Sequence, residues 1–163
     1  MKPQLPRNAL LGPALACLAV SFVAQAGPVH ADTHDCVDVG QEEIASLFDT
    51  WSAALQTRDP EAVVALYRPD AILLPTLSNE VRLTPEARAD YFVHFLQDGP
   101  VGTIDQREVR VGCDMAVDAG LYTFTFADTG DEAHARYSFT YAYEDGQWVI
   151  ASHHSSLLPG SDG

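Results

Sequence analysis

The chain has 163 residues, with 23 acidic side chains against 9 basic ones and a formal charge of −14. Such a surface repels nucleic-acid phosphates and anionic lipid headgroups, so neither is expected as a partner. The length allows one ordinary hydrophobic core and no second module.

Residues 1–26 read as a secretory leader. Lys2 and Arg7 precede an apolar stretch from Ala9 to Ala24, and Ala24-Gln25-Ala26 and Val29-His30-Ala31 offer small-residue exits. Cleavage is expected after Ala26 or after Ala31. A membrane anchor is the rival reading, but the stretch is shorter than the roughly 20 residues a span needs and is broken by Gly12 and Pro13. Residues 32–163 then form a single domain, expected to be periplasmic or secreted and clear of the membrane. It keeps 7 arginines, no lysine and all 23 acids, a balance of −16. The acids are scattered without calcium-loop spacing, so no metal is expected, and no cofactor. Cys36 and Cys113 survive in the mature chain. In an exported protein an even pair is expected to be bridged, the alternative being two buried thiols.

Ile44, Leu47, Phe48, Trp51 and Leu55 lie three and four apart, the spacing that lays one apolar stripe along a helix from about Gln41 to Thr57. Asp59-Pro60-Glu61 starts a short second helix to about Tyr67, because the carboxylate caps free amides and proline is tolerated in the first turn. Arg68-Pro69-Asp70 stops it, and Ala71 to Leu74 reads as a brief buried strand ended by Pro75. Thr84-Pro85-Glu86 repeats the start signal and Gly99-Pro100 the stop, so a third helix carries Tyr91, Phe92, Phe95 and Leu96 inward.

From Val101 the period becomes two. Thr103 to Val111, Met115 to Phe126, Ala133 to Glu144 and Gln147 to Ser156 are expected as four long strands joined by turns too short for anything but antiparallel neighbours. Three helices followed by a four-strand meander define an α+β domain, a curved antiparallel sheet forming a cone around the N-terminal helix.

Asp59-Pro60-Glu61-Ala62-Val63-Val64-Ala65-Leu66-Tyr67, then Pro69-Asp70-Ala71, resembles the opening of the nuclear transport factor two-like, or SnoaL-like, superfamily. The Tyr91-Phe92 pair on the third helix, the Asp145-Gly146-Gln147-Trp148 hairpin and the tail of His154, Ser156 and Pro159 resemble its branch containing the association domain of calcium/calmodulin-dependent protein kinase type II. The likeness spans about Glu42 to Pro159. It implies a self-associating cone with an internal pocket. The kinase domain and calmodulin-binding segment of those kinases have no counterpart here.

On the third long strand Arg136, Ser138, Thr140 and Ala142 share one face and Tyr137, Phe139, Tyr141 and Tyr143 the other. If the polar set lines the cavity, Arg136 would hold a small anion by paired hydrogen bonds; the alternative is an exposed ion pair. The resemblance favours His154 over His153 for the pocket, with Ser156, Trp148 and Tyr91 as further ligand contacts. His94 follows Asp90 by four residues, the spacing of an oriented acid–base pair or of an ordinary surface contact.

Two functions follow. The first is a non-catalytic exported domain that associates with itself, as a homodimer or larger ring, through a convex aromatic row of Tyr137, Phe139, Tyr141 and Tyr143, and holds a small anionic ligand. The second is an isomerase, cyclase or dehydratase in which His154, with His94 or Asp90 as the other candidates, moves a proton while Arg136 or Tyr91 steadies an enolate.

Overall fold

The computed structural model describes residues 36–160. The expected leader and both cleavage sites lie outside them. The helices are α1 (Gln41–Gln56), α2 (Pro60–Val64) and α3 (Pro85–Phe95), and the strands are β1 (Tyr67–Leu74), β2 (Pro100–Val111), β3 (Met115–Phe126), β4 (Glu132–Glu144) and β5 (Gln147–Leu157). Local chemistry sets the boundaries. Asp59 accepts the Glu61 amide and Thr84 the Ala87 amide, each with proline at the first helical position. The β4–β5 hairpin turns on Asp145 (φ 51°) and Gly146 (φ 84°), the two positive φ values that a tight hairpin with the right strand twist requires.

The strands form one curved sheet in the order β1-β5-β4-β3-β2. The four antiparallel strands are those expected, but β1 is longer and adds a fifth strand, parallel to β5. It starts at Tyr67, three residues beyond the end of α2, so Tyr67 is the first strand residue and not the last helical one. Proline at position 69 is tolerated because β1 is an edge strand whose register with β5 is interrupted between Tyr67 and Ile72.

The three carbonyls around that interruption are bound from the side. Arg88 of α3 is fully buried and donates to the oxygens of Ala71 (2.8 Å), Arg68 (2.9 Å) and Pro69 (3.0 Å), its guanidinium lying over the Tyr67 ring. Burial pulls its pKa down from the usual value, with the Tyr67 hydroxyl and Asp70 opposing.

The sheet's inner face packs on α1. Ile44, Phe48, Trp51 and Leu55 are buried, and they meet Tyr122, Phe124, Tyr137, Phe139 and Tyr141 in one aromatic core. Here the expected faces of β4 are reversed: Tyr137, Phe139 and Tyr141 point inward at 3%, 0% and 1% exposure, and Arg136 is exposed on the outer face. Large rings bury about 150–250 Å² each, far more than serine or threonine, so they take the side that faces Phe48 and Trp51.

Two bulges shape the strands. In β2 the register shifts between Ile104 and Gln106, next to Gly120, where a β-carbon would sit 1.8 Å from the Gln106 carbonyl oxygen. In β5 the register shifts at Ala151, between Ile150 and Ser152. Trp148 and Ile150 face inward before that point and His153 and Ser155 after it, so one extra residue carries the inward set from even to odd positions.

The Cys36–Cys113 disulfide is formed, spanning 77 residues with Cα atoms 4.4 Å apart. With the Val37 amide bonded to the Cys113 carbonyl, it fixes the N-terminal segment to the β2–β3 turn. The chain-entropy model gives such a loop about 4.5 kcal/mol of stabilisation.

Candidate functional site

The inward half of β5 ends in a narrow well between the sheet, α1 and α3. Its aromatic wall is Trp51, Tyr91, Phe92 and Phe95, and its polar groups are His153, Ser155, Thr76 and the Tyr122 hydroxyl. The well is nearly filled, with room for about one water.

A chain of hydrogen bonds holds the imidazole. The Trp51 indole N–H donates to the Tyr67 oxygen at 3.1 Å. The Tyr67 hydroxyl in turn shares a hydrogen bond with His153 Nδ1, 2.9 Å away. The other ring nitrogen, Nε2, is buried and has no partner among the described residues. The ring stacks on Phe139 (3.9 Å between centroids) and meets Trp51 edge-on. Burial lowers the His153 pKa to about 3, with a small further contribution from His154. Beside it, Tyr122 donates to Ser155 Oγ at 2.5 Å, and Ser155 Oγ also bonds Thr76 Oγ1.

A second polar cluster lies further along the inner face. Asp118 is fully buried and accepts from the Tyr137 hydroxyl (2.8 Å) and from Arg107 Nε (3.2 Å), while the Arg107 guanidinium covers the Phe48 ring. Burial raises the Asp118 pKa, and Tyr137 and Arg107 partly offset it.

Of the residues singled out in the sequence, only Tyr91 lines the inner well. His154 and Ser156 face outward, in an open groove with Leu74, Glu80 and Val81. Trp148 faces inward but borders a separate hollow near Leu47 and Leu66. Arg136 stands outside, and among the described residues no charged side chain lines the well, so the expected guanidinium clamp for an anion is not formed there. Asp90 is held by Arg82 at 2.9 Å, and no Asp90–His94 hydrogen bond forms among the described residues. Asp118 and Arg88 were not anticipated, and His153, not the favoured His154, is the histidine of the well. Arg88 had a signal, since it lies three, four and seven residues before Tyr91, Phe92 and Phe95 on the same helical stripe; His153 had none without the bulge. Among the described residues no three His, Cys, Asp or Glu side chains gather as metal ligands, and no helix is long and apolar enough to cross a membrane.

An α+β chain with a curved sheet folded around its first helix and a small polar-floored well is a protein of the nuclear transport factor two-like fold. A protein of that fold from Pseudomonas putida, of unknown function, superposes with a TM-score of 0.65 at 20% identity, covering 75% of this chain and 89% of that one. A Streptomyces avermitilis protein of the same fold, provisionally named a dehydratase, does so at 0.63 and 12%, covering 72% and 95%. Residues 40–159 match the calcium/calmodulin dependent protein kinase II association domain. A Xanthomonas campestris protein provisionally given that same description is 50% identical, with a TM-score of 0.72 over 76% of this chain and 91% of that one. The chain belongs to the calcium/calmodulin dependent protein kinase II association domain family. No curated protein matches it.

Proposed function

We propose that this is an exported, non-catalytic domain that associates with copies of itself through the outer face of its sheet. The observation that carries this is the make-up of that face. Strand register places three rows across it: Ile72, Ser152, Thr140, Val117 and Arg110; Leu74, His154, Ser138, Ala119 and Glu108; and Ser156, Arg136, Leu121 and Gln106. In a mature chain of −16, the parts of these rows on β1, β5, β4 and β3 hold one formal charge, Arg136, which has no ion-pair partner among the described residues, while Arg110 and Glu108 on the β2 edge pair with each other. Small uncharged side chains allow a second sheet to approach closely, Ile72 (44% exposed) and Leu74 (39%) supply apolar area, and a carboxylate from the second copy would complete Arg136. This face replaces the aromatic row of β4, which belongs to the core.

Two features support a non-catalytic interior. The imidazole in the well has its pKa lowered to about 3 by burial, which makes it a weak base at neutral pH, and among the described residues no carboxylate lines the well with it. Export is supported by the Cys36–Cys113 bridge.

Native mass spectrometry and light scattering of the purified mature protein test the proposal. A dimer or larger ring is expected, and Ser138→Glu with Thr140→Glu, which sets like charges against each other across the contact, should yield monomers of unchanged fold. A wild-type monomer at micromolar concentration would refute the proposal.

A further inference from the structure

The outer face of the sheet carries a titratable side chain in the middle of its rows. His154 lies between Leu74 of β1 and Ser138 of β4. It is exposed and forms no hydrogen bond or ion pair among the described residues. Because Ser138 stands opposite His154 and Arg136 opposite Ser156, His154 and Arg136 are diagonal neighbours on this face, within reach of one another's fields. The groups around His154 leave it without an acid of its own. On β4, Arg136 is a fixed cation, and His134, two residues further on, already has Glu132 at 3.9 Å. In the loop after β1, Glu80 borders the groove beside His154 but is paired with Arg82. β1 presents Ile72 and Leu74 here, and β3 presents Ala119 and Leu121. On β2, Glu108 is paired with Arg110. His153, next along β5, faces the core, where burial holds it neutral with its pKa lowered to about 3.

We propose that His154 makes self-association acid-sensitive: copies join while its ring is neutral, and proton uptake by the ring drives them apart. This inference rests on the self-association reading and names the regulation of that contact. Histidine is the side chain whose charge ordinarily changes between about pH 5 and pH 8, a window in which exposed carboxylates and guanidinium groups keep theirs. A twofold contact sets the face against itself. Below neutral pH each copy brings two cations, Arg136 and the His154 ring, to rows whose one carboxylate is Glu108. Those charges repel across the contact, and a ring that loses water on entering it favours its neutral form. Proton uptake at one ring per copy therefore opposes the contact twice over. The whole chain pulls the other way. At −16, the mature protein loses self-repulsion as acid adds positive charge, which by itself favours association. Dissociation in acid is thus the signature of the local patch.

Sedimentation velocity of the full mature protein over a concentration series, at about pH 7.5 and about pH 5.5, tests this, with circular dichroism to confirm the fold at both. The wild-type dissociation constant should rise at least about tenfold in acid. His154→Gln, polar but uncharged, should associate equally well at both pH values. His154→Arg, permanently charged, should associate more weakly than wild type at the higher pH and show no further loss at the lower. His153 is present in every variant, so a response routed through the core would survive in His154→Gln. Wild-type association unchanged or strengthened by acid, an acid response retained in His154→Gln, or His154→Arg associating as tightly as wild type at the higher pH would overturn this inference and leave the self-association reading standing. A wild-type monomer at the higher pH would overturn both.

Discussion

Acid should unfold this protein partly through His153. In the folded chain its pKa is about 3, against 6.5 for an ordinary histidine, because burial excludes the charged ring. Between those two values the unfolded chain holds a proton at this position that the folded chain does not. Lowering the pH through that window therefore draws the equilibrium toward unfolding, and the contribution is fully present only above about pH 6.5. Integrating from pH 8 to pH 5 gives a loss of about 2 kcal/mol from this side chain. Urea unfolding followed by circular dichroism, with the disulfide intact, measures it. His153→Gln removes the titration, so the wild type should lose about 2 kcal/mol more than the variant between the two pH values. Parallel stability curves for the two proteins would refute the reasoning. They would mean that the ring takes up its proton in the folded state, with the Tyr67 bond and the Phe139 stack rearranged to accept it.

Three further outcomes follow from the packing. Arg88→Met should cost about 3 kcal/mol in urea unfolding, because the carbonyls of Arg68, Pro69 and Ala71 lose a buried donor. Gly120→Ala should cost at least about 3 kcal/mol or prevent folding, since its methyl group would meet the Gln106 backbone at 1.8 Å; a thermal melt within a few degrees of wild type would contradict this. Reducing the Cys36–Cys113 bridge, or replacing both cysteines by serine, should lower stability by up to about 4.5 kcal/mol while leaving the far-ultraviolet circular dichroism of the sheet unchanged below the transition.

Element boundaries were legible because their causes are local. Asp59 and Thr84 cap helices using atoms two or three residues away, and Asp145-Gly146 turns a hairpin by its own backbone angles. The strip of Ile44, Phe48, Trp51 and Leu55 likewise needs only helical geometry to become the inner side of α1. The cysteine pair and the family's motifs were equally open to reading, as the Cys36–Cys113 bridge and the match over residues 40–159 bear out.

The site was not legible in this way, and β4 and β5 show why. Alternation divides a strand into two faces without saying which is inside. That choice for β4 was made by Phe48 and Trp51, which lie far away in sequence and demand aromatic partners. The parity of β5 was reset by a single residue, Ala151, whose extra place in the strand exists only against the hydrogen bonds of β4. His153 thus entered the core while His154, the next residue, stayed in solvent. Sequence by itself determined the helices and the four antiparallel strands, because short-range sterics, capping and tight turns define them. Tertiary structure decided which polar groups are dry, because burial depends on neighbours that only the folded sheet brings together.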